Sequence, residues 1–242
     1  MGRHSVNDSS RATITPGRFV ASHSVLTLDA RHPYVAKSLV DAQDMHRTVM
    51  SGFQGWGVAE GSRDARAQMG VLSTWTLDLK EAALVLVVQS RVPADWGHVP
   101  RAALRDEPYL ITVDRTFRVG DAVVFRTVVN PTYNKPQDGP DGRMVRGKRV
   151  AHTKPDGVRK WLRRHFGDGR EPGRVGVTTD PDDVAVHMLP PVSSPSPHKR
   201  LRIARAELRG SLTVTNPGAF VTALSDGIGH ARAYSCGLLL TR

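Results

Sequence analysis

Ten histidines and a single cysteine, Cys236, are the residues of this 242-residue chain whose types most readily do chemistry. No two histidines stand four apart, the spacing that sets two imidazoles on one helix face over a metal ion, and a lone thiol completes no ligand set. The sequence therefore signals no zinc site. The one dense acidic group, DPDD at 180–183, reads as a turn and makes a poor magnesium cage. No Gly-x-Ser-x-Gly nucleophile elbow is present. What is left is metal-free acid–base catalysis by one imidazole, whose ordinary pKa lies near working pH. That chemistry suits RNA, where the ribose 2′-hydroxyl is itself the nucleophile, and does not suit DNA, which lacks it. His46 is the candidate: it lies beside the Met45/Val49 stripe, at the edge of a helix and not at its centre. The competing reading of His46 is a half-buried helix residue with no role.

The second feature is the terminal stretch GIGHARAYSCGLLLTR, residues 227–242. A dinucleotide fingerprint has its glycines after a strand and opening a helix; here they follow a helix and open a strand. The Gly-Lys-Ser/Thr ending of a mononucleotide loop is also missing. No nucleotide cofactor is implied. Two readings stand: a run of backbone N–H groups at Gly227 and Gly229 that lies close to a phosphate, with Arg232 adding charge, or a helix-ending turn with no ligand. Cys236, flanked by Gly and Leu, reads as a packed thiol.

Charge names the class of partner. Thirty-four Lys and Arg against 23 Asp and Glu give +11, which favours a polyanion. Residues 131–170 hold eleven Lys or Arg against four Asp, and HKRLRIARAELR at 198–209 adds five more basic residues. Two runs of one sign point to phosphate binding, with nucleic acid ahead of a membrane surface. The longest apolar run, ALVLVV at 83–88, is far short of a membrane span, and the N-terminus has no apolar core of a secretion signal. With one cysteine nothing indicates an oxidising compartment, so a cytoplasmic protein is expected.

These groups need elements to hold them. Residues 1–17 are polar and Ser-rich and read as a disordered extension. A first domain is expected over 18–135: strand GRFVASHSVLTLD, then a helix through VDAQDMHRTVMSGF with Asp41 as cap and Asp44 completing an acidic capping box. A hairpin of VLSTWTLDL and AALVLVVQS follows, then room for one short helix, then two strands turning at Gly120-Asp121 to close the domain. Residues 136–150 read as a basic linker. A second domain over 151–242 opens with the helix KPDGVRKWLRRHFG, continues through strands and an exposed Pro/Ser segment, and ends with a helix capped by Asn216 and Pro217 before the glycine loop. Both halves read as small α+β domains.

DMHRTVMSGF at 44–53, FRTVVNPTYNK at 125–135, the KPDGVRKWLRRHFG helix and the GIGHARAYSCGLLL ending together resemble the CasE family of type I-E CRISPR systems, in the family's order. The resemblance implies two tandem ferredoxin-like domains, similar to RNA-recognition modules, in an endoribonuclease that binds the stem-loop of a CRISPR repeat in precursor RNA. It implies one cut at the hairpin base without metal or other cofactor, leaving a 2′,3′-cyclic phosphate, and retention of the product as a subunit of Cascade. DNA as direct substrate and a membrane are not expected. The family's catalytic histidine falls on His46 and its glycine loop on Gly227, Gly229 and Gly237 with Arg232 between. Its RNA-gripping surface falls on Lys148, Arg149, Lys154, Arg159, Lys160, Arg163 and Arg164. Where relatives place a tyrosine three residues before the histidine this chain has Gln43, and where they place a lysine five residues after it, Ser51. Gln43 or Arg47, on neighbouring turns of the helix, is then expected to orient the phosphate. Two other readings are a catalytically weak or inactive hairpin-binding subunit and a general basic RNA-binding protein.

Overall fold

The structure is a computed structural model and describes residues 15–56, 65–138, 141, 143–195 and 201–242. Most of the expected N-terminal extension, Gly57, expected with Gly52 and Gly55 to end the helix carrying His46, and residues 198–200 of the second basic cluster lie outside the described residues.

The first sheet is ordered β2-β3-β1-β4, from β1 (Gly17–Asp29), β2 (Leu72–Asp78), β3 (Ala83–Ser90) and β4 (Tyr109–Phe117), all antiparallel neighbours. The expected β2–β3 hairpin forms. Leu26, Leu28, Leu84, Leu86 and Val88 bury one face under α1 (Pro33–Val40) and α2 (Ala42–Met50), which contribute Val35, Met45 and Val49. β1 changes its buried parity: Phe19 and Ala21 are inside at one end, Leu26 and Leu28 at the other, while its register with β3 and β4 runs unbroken. Opposite faces of one strand are therefore covered in turn, and Phe19 and Ala21 join the core of the second half.

The second sheet is ordered β11-β5-β10-β8, with β9 also on β10. Its strands are β5 (Ala122–Val129), β8 (Val177–Thr178), β9 (Ala185–Ser194), β10 (Leu201–Val214) and β11 (Leu239–Thr241). Helices α4 (Pro155–Phe166) and α5 (Pro217–Asp226) cover it, sinking Trp161, Leu162, Phe166 and Phe220 into the core. A short helix α3 (Ala65–Gln68) precedes β2. Each half repeats the same strand order about two central strands, which makes the chain a pair of ferredoxin-like units.

Five features differ from the sequence reading. β4 and β5 do not close one sheet: β4 pairs with β1, β5 with β10 and β11, and Gly120 (φ +90°) turns the chain from the first sheet to the second. Alternation identifies a strand but not its partner. The basic stretch expected as a linker pairs as a two-stranded ribbon, β6 (Thr132–Asp138) with β7 (Met144–Ala151). The Pro/Ser segment extends β9 through Ser194. Helix α1, started by Pro33 with His32 as its cap, had no counterpart in the periodicity, and only a 3₁₀ turn, Arg101–Ala103, occupies the place of the short helix before β4.

Candidate active site

Helix α2 is set by its cap and its neighbour. Asp41 accepts from the Gln43 N–H at 2.8 Å, and a buried hydroxyl pair, Ser38 with Thr48 at 2.8 Å, pins α1 to α2. Asp44 does not complete a capping box; it pairs with Lys37 at 3.4 Å and with Arg47. With Met45 and Val49 pointing inward, His46 emerges at the helix edge, half-buried, against the chain that follows α5.

That chain is the glycine loop. Gly227 (φ +76°) ends α5 and its N–H caps the Ala223 carbonyl; Ile228 N–H donates to Gly237 O and Gly237 N–H to Val128 O. These N–H groups are spent inside the protein, so Gly227 serves as the helix-ending turn and offers no donor to a phosphate. Gly237 (φ +88°) has no room for a side chain, since a Cβ would sit 2.5 Å from Ile228 O, and one at Gly229 would sit 3.0 Å from the Trp161 ring. Ala231 and Ser235 also hold left-handed backbone, and the Ser235 hydroxyl anchors the loop to Ser73 of β2 at 3.0 Å. Arg232 folds over the loop, donating to Asp226 O at 2.6 Å and Gly229 O at 3.2 Å. The fold thus brings the expected pair, His46 and the glycine loop, face to face.

Burial pushes the His46 pKa below the ordinary 6.5, the positive charges of Arg66 and then Arg47 push it the same way, and a hydrogen bond to the Ala233 backbone opposes them. A ring N–H held by that carbonyl leaves the second nitrogen of a neutral imidazole to take up a proton. The Tyr234 ring lies 6.2 Å from the His46 ring, and its oxygen accepts from Gln43 Nε2 at 2.9 Å. Gln43 is therefore turned to the tyrosine, and Arg47 to Asp44. Sequence reasoning missed Tyr234 and Arg66; the first lies inside the quoted glycine motif but carries no periodic signal, and the second meets His46 only through the tertiary fold.

The basic surface divides. Lys148 and Arg149 on β7, Lys154 at the start of α4, and Lys160, Arg163 and Arg164 on α4 are exposed. Arg159 is half-buried and donates to Pro181 O at 2.7 Å and Val184 O at 3.1 Å, so it braces a turn and is drawn away from the open face. Arg149 and Arg164 line a cleft of about 310 Å³ with Tyr133, His165, Arg174 and Gly229. Two stacked ring pairs flank it, Trp161 with His165 at 3.9 Å and Tyr133 with His152 at 4.4 Å. A second cleft shares His165, Arg174 and Gly229 with the first, and a third shares Asp226 and Arg232 with the second and reaches Arg66. Cationic side chains thus run from the β6–β7 ribbon along the glycine loop to Arg66, whose charge acts on His46. The larger cavity of about 750 Å³, on the β5–β10–β11 face, contains none of these residues.

Among the described residues no three His, Cys, Asp or Glu side chains gather where they could share a metal ion, and no helix is long and apolar enough to cross a membrane. Cys236 is sealed in the core with its thiol pushed up to about 12 by burial, as a packed thiol should be.

Two ferredoxin-like units joined across a glycine loop, with a histidine on one side and a cationic cleft on the other, define a tandem ferredoxin-like α+β protein. The chain belongs to the family described as CRISPR associated protein, whose profile matches residues 23–242. Comparison with curated protein sequences finds no match. Among solved structures, Thermus thermophilus Cse3 bound to an RNA representing a pre-cleavage complex matches with a TM-score of 0.64 at 20% identity, over 93% of this chain and 100% of that one. Cas6e from Escherichia coli K-12 matches with a TM-score of 0.59 at 20% identity, over 91% and 98%. A chain of a CRISPR RNA-guided surveillance complex matches with a TM-score of 0.55 at 18% identity, over 91% and 98%. At these identities the likeness is one of fold, and the fold is the one expected from the CasE resemblance.

Proposed function

We propose that the protein is a type I-E CRISPR endoribonuclease that binds the stem-loop of its repeat in precursor RNA and cuts at the hairpin base without a metal. The observation that carries this reading is the position of His46, half-buried at the edge of α2, hydrogen-bonded to the glycine loop, and within reach of the charge of Arg66, which lines the last of the cationic clefts. The cut strand crosses His46 while the stem lies along α4 and the β6–β7 ribbon, with Arg149, Lys160 and Arg164 on its phosphates. His46 accepts the proton of the 2′-hydroxyl; that oxygen forms a bond to the adjacent phosphorus, the bond from phosphorus to the 5′-oxygen breaks, and the 5′-oxygen takes up a proton. A 2′,3′-cyclic phosphate and a 5′-hydroxyl result. Tyr234, whose oxygen already accepts from Gln43, keeps its own O–H to donate and stands as the second proton-transfer group.

Support comes from the family membership and from the fold shared with a Cse3 solved on RNA and with a chain of a surveillance complex; retention of the product hairpin in a Cascade assembly belongs to the same proposal. The second reading, a subunit that holds the hairpin without cutting, is favoured by Gln43 and Ser51 at the positions where relatives carry tyrosine and lysine. Single-turnover cleavage of the cognate repeat hairpin in EDTA separates the two. Wild type cuts once and His46→Ala does not; equal rates for both proteins remove His46 from the reaction.

A further inference from the structure

Arg66 took no part in the chemistry above, yet its charge acts on the His46 imidazole more strongly than that of Arg47, the next residue on the same helix. It is half-buried on α3, with its guanidinium fixed by a hydrogen bond to Val71 O at 2.6 Å. Across a cleft of about 220 Å³ stands Arg232, fixed in the same way by the carbonyls of Asp226 and Gly229. Neutral carbonyls, not carboxylates, hold both groups in place. Among the described residues neither arginine forms an ion pair, and Asp226, the only carboxylate lining this cleft, is paired with Arg91 at 2.6 Å. Two half-buried guanidinium groups therefore face one space with no carboxylate of the described residues paired to either, each with fork donors to spare.

We propose that Arg66 and Arg232 form a clamp for a single phosphate group, and that this phosphate is the one whose linkage His46 opens. The inference rests on the nuclease reading and adds to it the site of the scissile phosphate. Guanidinium N–H groups hold the two non-bridging oxygens, which gain charge as the 2′-oxygen attacks, and so fix the phosphorus beside the imidazole. The clamp also couples binding to basicity. The groups facing His46 are Arg66 from α3, Arg47 from its own helix, and the Ala233 carbonyl and Tyr234 from the loop, while Arg232 acts on Arg66 across the cleft they share. A dianionic or monoanionic phosphate between the two arginines offsets the charges that depress His46 and makes it a stronger base once substrate is seated.

The test compares repeat hairpins ending at the cut in a 3′-phosphate or a 3′-hydroxyl. Wild type is expected to bind the phosphate form about ten-fold tighter, because a charge-assisted fork contact is worth about that much. In Arg66→Ala the preference falls to about one, and in Arg66→Gln, which keeps a donor for the Val71 carbonyl without the charge, it falls likewise while thermal stability is held. Without RNA, titration with inorganic phosphate at constant ionic strength, followed by the His46 ring resonances, should raise the His46 pKa in wild type and leave it unmoved in Arg66→Gln. Equal affinity of wild type for the two RNA ends, or no response of His46 to phosphate, overturns the clamp. A phosphate preference in a protein that cuts nothing keeps the clamp and rejects the nuclease.

Discussion

The side-chain amide of Gln43 donates to the phenol oxygen of Tyr234 at 2.9 Å, joining α2 of the first unit to the glycine loop of the second across 191 residues of sequence. The CasE resemblance leads one to expect a tyrosine at position 43. In this chain that position is glutamine, and it holds a phenol that comes from the other unit.

Tyr234→Phe keeps the ring and removes the hydroxyl. If the phenol gives its proton to the leaving 5′-oxygen, single-turnover cleavage falls about 100-fold, the lower range for a lost general acid. Hairpin affinity stays within a factor of about three. Gln43→Ala loses only the group that orients the phenol and should cost less, and its effect should vanish in a Tyr234→Phe background, since the two act as one pair. Rates of the two single variants and the double variant check this.

If His46 is the general base, its depressed pKa sets the acid limb of the cleavage profile. A base must be neutral to act, so the rate climbs with pH through the His46 pKa and is level above it. Burial, Arg66 and Arg47 place that limb below the ordinary 6.5 in the free enzyme. Removing the charge in Arg66→Gln relieves part of the depression, and the limb of kcat/KM moves to higher pH. A pH–rate series on both proteins reads the shift directly.

Stability should follow the same sign. His23, His46, His152 and His165 all titrate below 6.5 in the folded protein, chiefly through burial. The unfolded chain then binds more protons, so the contribution is complete above about pH 6.5 and is lost as pH falls through the folded values. Thermal melts should be level above pH 7 and decline steadily toward pH 5.

Much of this site was legible in the sequence, and the rest was not for physical reasons. Asp41, Met45 and Val49 announce α2 and put His46 at its edge because cap and stripe are local. Asn216, Pro217 and Gly227 bracket α5 in the same way. The ribbon of β6 and β7 was hidden, since its Gly, Pro and basic residues lack apolar alternation and its pairing is one strand on the other. Arg66 and Tyr234 were hidden because their importance lies in meeting α2 through the tertiary fold, which no spacing encodes. The partners of Gln43 and Arg47 were hidden for a related cause: Gln43 donates to Tyr234 of the other unit and Arg47 pairs with Asp44 on its own helix, contacts that the helix spacing alone does not select.

The loop glycines separate conformation from crowding. Gly120 (φ +90°) has nothing within 4 Å of the place a Cβ would take, so Gly120→Ala suffers only left-handed backbone strain, about 1 kcal/mol. Gly237→Ala adds a clash with the Ile228 carbonyl, which cannot move without breaking the hydrogen bond from Ile228 N–H to Gly237 O. A loss of about 3 kcal/mol or more is expected, with displacement of Ala233 and Tyr234 from His46. Urea unfolding of the two variants, beside their cleavage rates, should show a modest stability loss with activity kept for the first and a joint loss for the second.

The arginines of α4 give the clearest division between gripping RNA and bracing the fold. Arg164 is exposed and lines the cleft with Arg149, so Arg164→Ala should weaken hairpin binding and lower the slope of log K against log salt by about one, the share of a single phosphate contact. Arg159, one turn earlier, spends its guanidinium on the carbonyls of Pro181 and Val184. Arg159→Ala strips two acceptors of their donor and should cost about 1–3 kcal/mol of stability while leaving the salt slope nearly unchanged. Filter binding at several salt concentrations, paired with denaturant unfolding, distinguishes the two. An unchanged salt slope in Arg164→Ala would remove this cleft from the RNA path and shift the stem toward the exposed Lys148 and Lys154.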